Sequence, residues 1–247
     1  MRIITLAENT TNYSELKCEK GLSLYIEFND KKIIFDTGAG KNFIYNAAKL
    51  GINLEEIDYV IISHAHSGHT GGLGDFLKIN KKAKVCMKPE ALDDYYINYG
   101  PMNSFAGISK SVFVHNKHRF CFTRDNVRIF RDAYLINNIA CDEKYKAKNS
   151  SFMELRNNQL ISDCFSHELF LVLVTNHKLD IFTGCSHNGI VNIIETANIQ
   201  FNRTPIRSLI GGFHLTEVPQ FNELNYTPNY IDRIILKLYI LRVDKGM

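Results

Sequence analysis

The stretch ISHAHSGHTGGL, residues 62–73, sets three of the chain's nine histidines, His64, His66 and His69, within six residues. Alternation along an extended segment puts the His64 and His66 side chains on one face, and a turn at Gly68 lets His69 curl back toward them. Imidazoles so grouped repel one another when protonated; neutral, they suit a divalent cation such as zinc. The run IDYVIIS, residues 57–63, is apolar and β-branched, the pattern of a strand buried on both faces, and it delivers Ser63 and His64 at its C-terminal end.

Working outward, LSLYIEF (22–28) and KKIIFDTG (31–38) flank Asn29-Asp30, a polar two-residue turn, and predict a hairpin ending at Asp36-Thr37-Gly38. KNFIYNAAKLG (41–51) reads as a helix closed by Gly51. GLGDFLKIN (72–80) reads as the next helix and AKVCM (83–87) as the strand after it. From about 88 to 160 this rhythm is lost among aromatics and short strand-like runs, SVFVH (111–115) and RFCF (119–122), which predict an inserted subdomain. The pattern returns with a second hairpin at 168–184, an amphipathic helix at 189–198, a buried strand at 205–212 and a final helix at 230–241. Two halves follow, each with a hairpin, a helix and a strand, and each with polar groups at strand ends. In the second half these are Cys185 and His187 in TGCSH and His214 in GGFHL.

Composition bounds the function. A chain of 247 residues with 45% hydrophobic content buries a sizeable core. A formal charge of +3, with Lys and Arg scattered, makes no basic stripe and argues against nucleic acid as a partner. The opening MRIITLAENT is too short in apolar residues for a signal segment or membrane span, so a cytoplasmic protein without membrane attachment is expected. Six cysteines spaced widely without a CxxC argue against a disulfide framework and a zinc ribbon, and are expected to be reduced and mostly buried. His115, His118 and His177 have no support beyond being ordinary surface or core residues.

SHAHSGHTGG resembles the Ser-His-x-His-x-Asp-His-x-Gly-Gly motif of the metallo-β-lactamase fold, and IIFDTG resembles that superfamily's Asp-Thr-Gly motif. The segments at 163–195 and 209–215 look like the subgroup of dihydropterin-ribofuranosylaminobenzene phosphate synthases, whose members carry a ferredoxin-like insertion. The resemblance implies an α+β fold, an αββα sandwich of two mixed sheets interrupted by that insertion, with a metal site at one edge. It implies His64 and His66 as ligands of one metal, His69 and His214 of a second, and Cys185 where related hydrolases place a bridging carboxylate. The third ligand of the first metal is His167, from FSHE, or its competitor His187. Asp36 is implied as the acceptor that orients a ligand histidine.

Two departures from the family pattern stand out. Gly68 occupies the position of the motif aspartate, and the chain stops at RVDKGM where the subgroup usually continues to a His-Cys-Thr-Gly motif, so the C-terminus reads as shortened. The resemblance implies a hydrolase or transferase in which zinc, manganese or iron lowers the pKa of bound water to about 7, and the resulting hydroxide attacks an ester, thioester or phosphoryl centre of a small molecule, pterin-related in this subgroup. Without the aspartate, proton handling falls to Glu168 or Asp163, or the rate suffers by roughly 10² to 10⁴. The rival expectation is a metallo-β-lactamase-fold binding protein that turns nothing over.

Overall fold

Asn29 and Asp30 both take positive φ, 46° and 59°, the conformation a two-residue hairpin turn requires. They join β2 (Ser23–Phe28) to β3 (Lys31–Phe35), as the polar turn predicts. The computed structural model describes residues 1–147, 151–214 and 239–240. They fall into two units, one of 1–123 with 151–167, the other of 124–147 with 168–214 and 239–240.

In the first unit β1 (Arg2–Ala7), β2, β3, β4 (Tyr59–Ile61), β5 (Lys84–Met87) and β8 (Phe120–Phe122) form one sheet in the order β1-β2-β3-β4-β5-β8. The first two pairings are antiparallel and the rest parallel. Helices α1 (Asn42–Lys49) and α3 (Leu73–Ile79) pack Phe43, Ala47, Leu73, Phe76 and Leu77 into a core with Ile34, Val60, Ile62 and Val85. Gly51 ends the first helix with φ 70°. Between β4 and α3 lies the one-turn helix α2 (Ser67–Thr70), which carries His69.

The stretch expected as an insertion sends its strands to three sheets. β6 (Tyr95–Asn98), β7 (Asn103–Phe105), β11 (Phe152–Arg156) and β12 (Gln159–Ser162) make a four-stranded antiparallel sheet of two hairpins, in the order β12-β11-β6-β7. β8 joins the first sheet, while β9 (Val127–Phe130) and β10 (Ala133–Ile136) belong to the second unit. The strand-like SVFVH is instead helix α4 (Lys110–Asn116). Its β-branched residues are overruled by tertiary packing, because the helical turn seats Val112 against the first unit's core and leaves Val114 exposed.

In the second unit β13 (Phe170–Thr175) and β14 (Lys178–Thr183) form the second expected hairpin, turned at Asn176 and His177, both at positive φ. Its sheet runs β16-β15-β14-β13-β10-β9, with β15 (Ile206–Gly211) and β16 (Tyr239–Ile240) parallel to β14. Helix α5 (Ile190–Gln200) buries Ile190, Val191, Ile193 and Ala197 in this unit's own core. The expected final helix lies outside the described residues except at Tyr239–Ile240, which pair as strand. Among the described residues no helix is long and apolar enough to cross a membrane.

Cysteine burial departs from expectation. Cys86 and Cys185 are buried, but Cys18, Cys121, Cys141 and Cys164 are exposed, and none of the six is in a disulfide. Cys121 lies on the terminal strand of the first sheet, and the other three exposed thiols lie outside helices and strands.

The histidine turn is seated by glycines at close backbone approaches. A Cβ on Gly71 would stand 2.1 Å from the Ala39 carbonyl oxygen, and one on Gly72 2.3 Å from that of Thr37. A Cβ on Gly21, at φ 150°, would meet the Gly68 carbonyl oxygen at 1.9 Å, whereas Gly51 has nothing within 4 Å. Gly21→Ala is therefore expected to destabilise the protein by more than about 2 kcal/mol, and Gly51→Ala by about 1 kcal/mol, the cost of the left-handed conformation alone. Denaturant midpoints of the two variants check this; equal losses would show that the Gly21 approach is not tight.

Candidate metal centre

Parallel pairing of β3 with β4 brings the ends of both strands to the same edge, so Asp36, just past β3, faces Ser63 and His64, just past β4. Asp36 is fully buried and holds φ 58°, a left-handed conformation that Asp tolerates. Its Oδ1 accepts the Ser63 N–H at 2.8 Å; its Oδ2 accepts the Ser63 hydroxyl at 2.7 Å and His69 Nδ1 at 2.6 Å. Thr37 adds its N–H and its hydroxyl to the His69 carbonyl, at 2.7 and 3.0 Å. The Asp-Thr-Gly stretch thus fixes the ring of His69 and its backbone together.

This network sets tautomers. With Asp36 accepting at Nδ1, the His69 proton stands on Nδ1 and its lone pair on Nε2. The Ser63 hydroxyl gives its proton to Asp36 and accepts from His64 Nδ1 at 2.8 Å, so His64 likewise carries its lone pair on Nε2. One carboxylate thus sets the tautomer of two imidazoles. The two rings lie 4.2 Å apart between centroids, and ligand atoms of Asp36, His64 and His69 fall within 4.8 Å of one another.

A second carboxylate gathers two further imidazoles of this unit, His66 and His167. His66 Nε2 and His167 Nε2 both approach Asp163 Oδ2 at 3.0 Å, while Asp163 Oδ1 accepts the Phe165 N–H at 2.7 Å and supports that residue's φ of 58°. The Ala65 N–H donates to His167 Nδ1 at 3.1 Å, which places the His167 proton on Nε2, toward Asp163. Burial drives His66 down to about 3, against the opposing pull of Asp163, so this ring is neutral at ordinary pH. Burial also opposes ionisation of Asp163, but the hydrogen bonds and charges of His167 and His66 outweigh it and hold the carboxyl well below its usual range. The Phe152 ring stacks on His66 at 4.0 Å, and Tyr95 packs on His167 at 4.3 Å.

The structure thus brings Asp36, His64, His66, His69 and His167 together in the first unit, with His167 5.2 Å from His66 and 6.0 Å from His64 between ring centroids. Asp163, which sequence reasoning raised only as a stand-in for the missing carboxylate, joins them; its signal was a position four residues before His167. Gly68 takes no positive φ, and its carbonyl accepts the Leu22 N–H at 3.2 Å.

In the second unit, His187 and His214 lie 4.6 Å apart between ring centroids, on the loops after β14 and β15. Those loops are tied by the Gly212 N–H to the Gly184 carbonyl at 2.7 Å and by the Ser186 hydroxyl to the Gly212 carbonyl at 2.8 Å. Cys185 is buried in the same turn. Glu168 accepts the N–H groups of His187 and Asn188 at 2.8 and 2.7 Å and the Asn188 amide at 2.9 Å, so both its oxygens hold the loop that carries His187.

The donor chemistry of His64 and His69 fits a divalent cation: buried imidazoles whose Nδ1 protons are held by oxygen acceptors, with the lone pair on Nε2. Residues 16–109 match the family model described as the metallo-β-lactamase superfamily. A Methanocaldococcus jannaschii protein named 7,8-dihydropterin-6-methyl-4-(β-D-ribofuranosyl)-aminobenzene-5'-phosphate synthase is 30% identical over 88% of this chain and 78% of its own length. A Staphylococcus aureus protein named as a UPF0173 metal-dependent hydrolase is 28% identical over 42% of this chain and 48% of its own. The crystal structure of Tm1679, a metal-dependent hydrolase of the β-lactamase superfamily, superposes with a TM-score of 0.72 at 30% identity, covering 94% of this chain and 80% of that one. A histidine turn locked by an Asp-Thr-Gly strand end, and a relative matched along most of both chains, place this protein in the metallo-β-lactamase superfamily.

Proposed function

We propose that the chain is a metal-dependent hydrolase or transferase acting on an ester, thioester or phosphoryl group of a small molecule. The observation that carries this reading is the Asp36 network, which holds the Nδ1 protons of two buried imidazoles 4.2 Å apart between ring centroids and so leaves their lone pairs on Nε2. The relative named as a pterin-related synthase supports a substrate of that kind. Cysteines without disulfides fit a reducing, cytoplasmic compartment.

In this reading His64, His66 and His69 are the imidazole ligands of the first unit, and zinc, manganese and iron all suit them. A bound divalent cation supplies Lewis acidity, polarising water and the scissile group. Asp36 holds the Nδ1 protons of His64 and His69, through Ser63 for the former. Asp163 supplies a second buried carboxylate beside the histidines, kept ionised by its hydrogen bonds to His66 and His167. His167 holds Asp163 in place rather than ligating, because the Ala65 N–H occupies its Nδ1 and its Nε2 proton points at Asp163. His187 and His214, with Cys185, form the second unit's own donor set, and Glu168 positions the His187 loop. A second reading, a binding protein without turnover, rests on the missing side chain at Gly68. Metal bound at two equivalents with turnover of a generic phosphodiester or thioester supports the enzyme; a folded protein with neither supports the binding module.

Replacing His64 and His66 together by Ala is expected to abolish tight metal binding, and His167→Gln to keep it while lowering turnover. Elemental analysis decides: a full equivalent in the double variant rejects the ligand assignment, and metal loss in His167→Gln makes that residue a ligand.

Asp36→Asn keeps the shape but cannot accept from both Ser63 and His69 as a carboxylate does. Metal affinity should fall roughly 10- to 100-fold, measured by competition with a chromogenic chelator. Unchanged affinity would remove Asp36 from the site.

Gly68→Asp restores the family carboxylate. The backbone there is not left-handed, and the new Cβ would sit 3.3 Å from the Lys20 carbonyl oxygen, a contact that needs a shift of a few tenths of an ångström. The variant is expected to bind a second cation more tightly, because an anion between two cations relieves their repulsion, and to hydrolyse faster. Equal stoichiometry and turnover in variant and parent would show that the glycine does not limit the site.

A further inference from the structure

Away from the histidines, the first sheet brings two cysteines side by side. Cys86 of β5 and Cys121 of β8 are register partners across parallel strands, so their side chains leave the same face of the sheet, and their thiols are hydrogen-bonded to each other. Cys86 is buried and Cys121, on the terminal strand, is exposed; neither is in a disulfide. Neighbouring strands stand about 4.7 to 4.9 Å apart, inside the Cα separation of about 4.4 to 6.8 Å that a disulfide spans. The register thus meets the Cα requirement for a bond between them.

The two thiols are unequal. The hydrogen bond from Cys86 lowers Cys121 to about 6 despite partial burial, helped by the Lys84 ammonium, whereas the same hydrogen bond and burial push Cys86 up. The exposed sulfur is the nucleophile and the buried one is placed to resolve it. Cys141, also exposed, is pushed up by its surroundings, partial burial foremost.

We propose that Cys86 and Cys121 are a reversible redox pair, in which a peroxide oxidises Cys121 and Cys86 closes the disulfide. The Cys121 thiolate attacks one peroxide oxygen and the O–O bond breaks; the sulfur becomes a sulfenic acid, and the departing oxygen takes up a proton to leave as water. The Cys86 sulfur then gives up its proton and attacks Cys121 Sγ, the S–O bond breaks, and a second water leaves. Two thiols and one peroxide yield one disulfide and two waters, and an external dithiol returns the pair to its starting state. The bond would tie the terminal strand to β5. The carbonyl of Cys86 accepts the Ile62 N–H at 3.0 Å, so the cross-link would form one strand from the histidine turn. The inference stands independently of the metal reading.

The test exposes the reduced full chain to stoichiometric hydrogen peroxide, followed by alkylation, digestion and mass spectrometry. Expected are a linked Cys86–Cys121 peptide, an intact mass lower by about 2 Da for the two lost hydrogens, and reversal by dithiothreitol. At pH 7 Cys121 should react roughly ten-fold faster than Cys141. Cys86→Ser should trap Cys121 as a sulfenic acid that a 1,3-dione probe labels, and Cys121→Ser should form no linked peptide. Oxidation of Cys18, Cys141 or Cys164 ahead of Cys121, or higher oxides of Cys121 without the linked peptide in the parent chain, would overturn the proposal.

Discussion

The buried carboxylate of Asp36 is the interaction on which the histidine turn depends. It joins the end of β3 to a segment 27 residues later in the chain, taking one backbone and one hydroxyl proton from Ser63 and a ring proton from His69. An ion taken out of water without partners costs several kcal/mol, so the site forms only when these donors arrive together. Parallel pairing of β3 with β4 makes that arrival possible, because it alone brings both strand ends to one edge. The left-handed backbone at Asp36 is the local cost of aiming a short side chain back across that edge.

Asp163 repeats this logic with the opposite outcome. Asp36 takes Nδ1 protons and leaves Nε2 lone pairs, whereas Asp163 faces the Nε2 atoms of His66 and His167. His167 is fixed further by a backbone donor, so its ring has no tautomer to offer without breaking a buried hydrogen bond. His66 is held from its face as well, by the Phe152 ring stacked on it at 4.0 Å between centroids.

Local signals made much of the fold legible. The Asn29-Asp30 turn, the second hairpin at 168–184, the Gly51 cap and the apolar run into Ser63 are each written within a few residues and appear where the sequence puts them. What escaped reading depends on partners far along the chain. SVFVH reads as strand by its own residues, and only the core under Val112 makes it a helix. The aromatic stretch reads as one insertion because nothing local assigns β8 to one sheet and β9 to another. The same holds at the site: His64, His66 and His69 announce themselves by spacing, while Asp163 acquires meaning only once β11 and β12 carry it to a histidine 97 residues earlier.

Burial explains why so many imidazoles can share so small a volume. Protonated, His64, His66 and His69 would repel across ring separations of 4.2 and 4.8 Å. Burial of His66, deepened by the Phe152 ring stacked on it, drives its proton off far below neutrality, although Asp163 at 3.0 Å pulls the other way. Desolvation outweighs the ion pair there because a neutral ring loses little on leaving water and a charged one loses much. The four-stranded sheet that supplies Phe152 therefore does more than wall His66 in: by shielding that ring from water it keeps it uncharged beside a carboxylate that would otherwise favour its protonation.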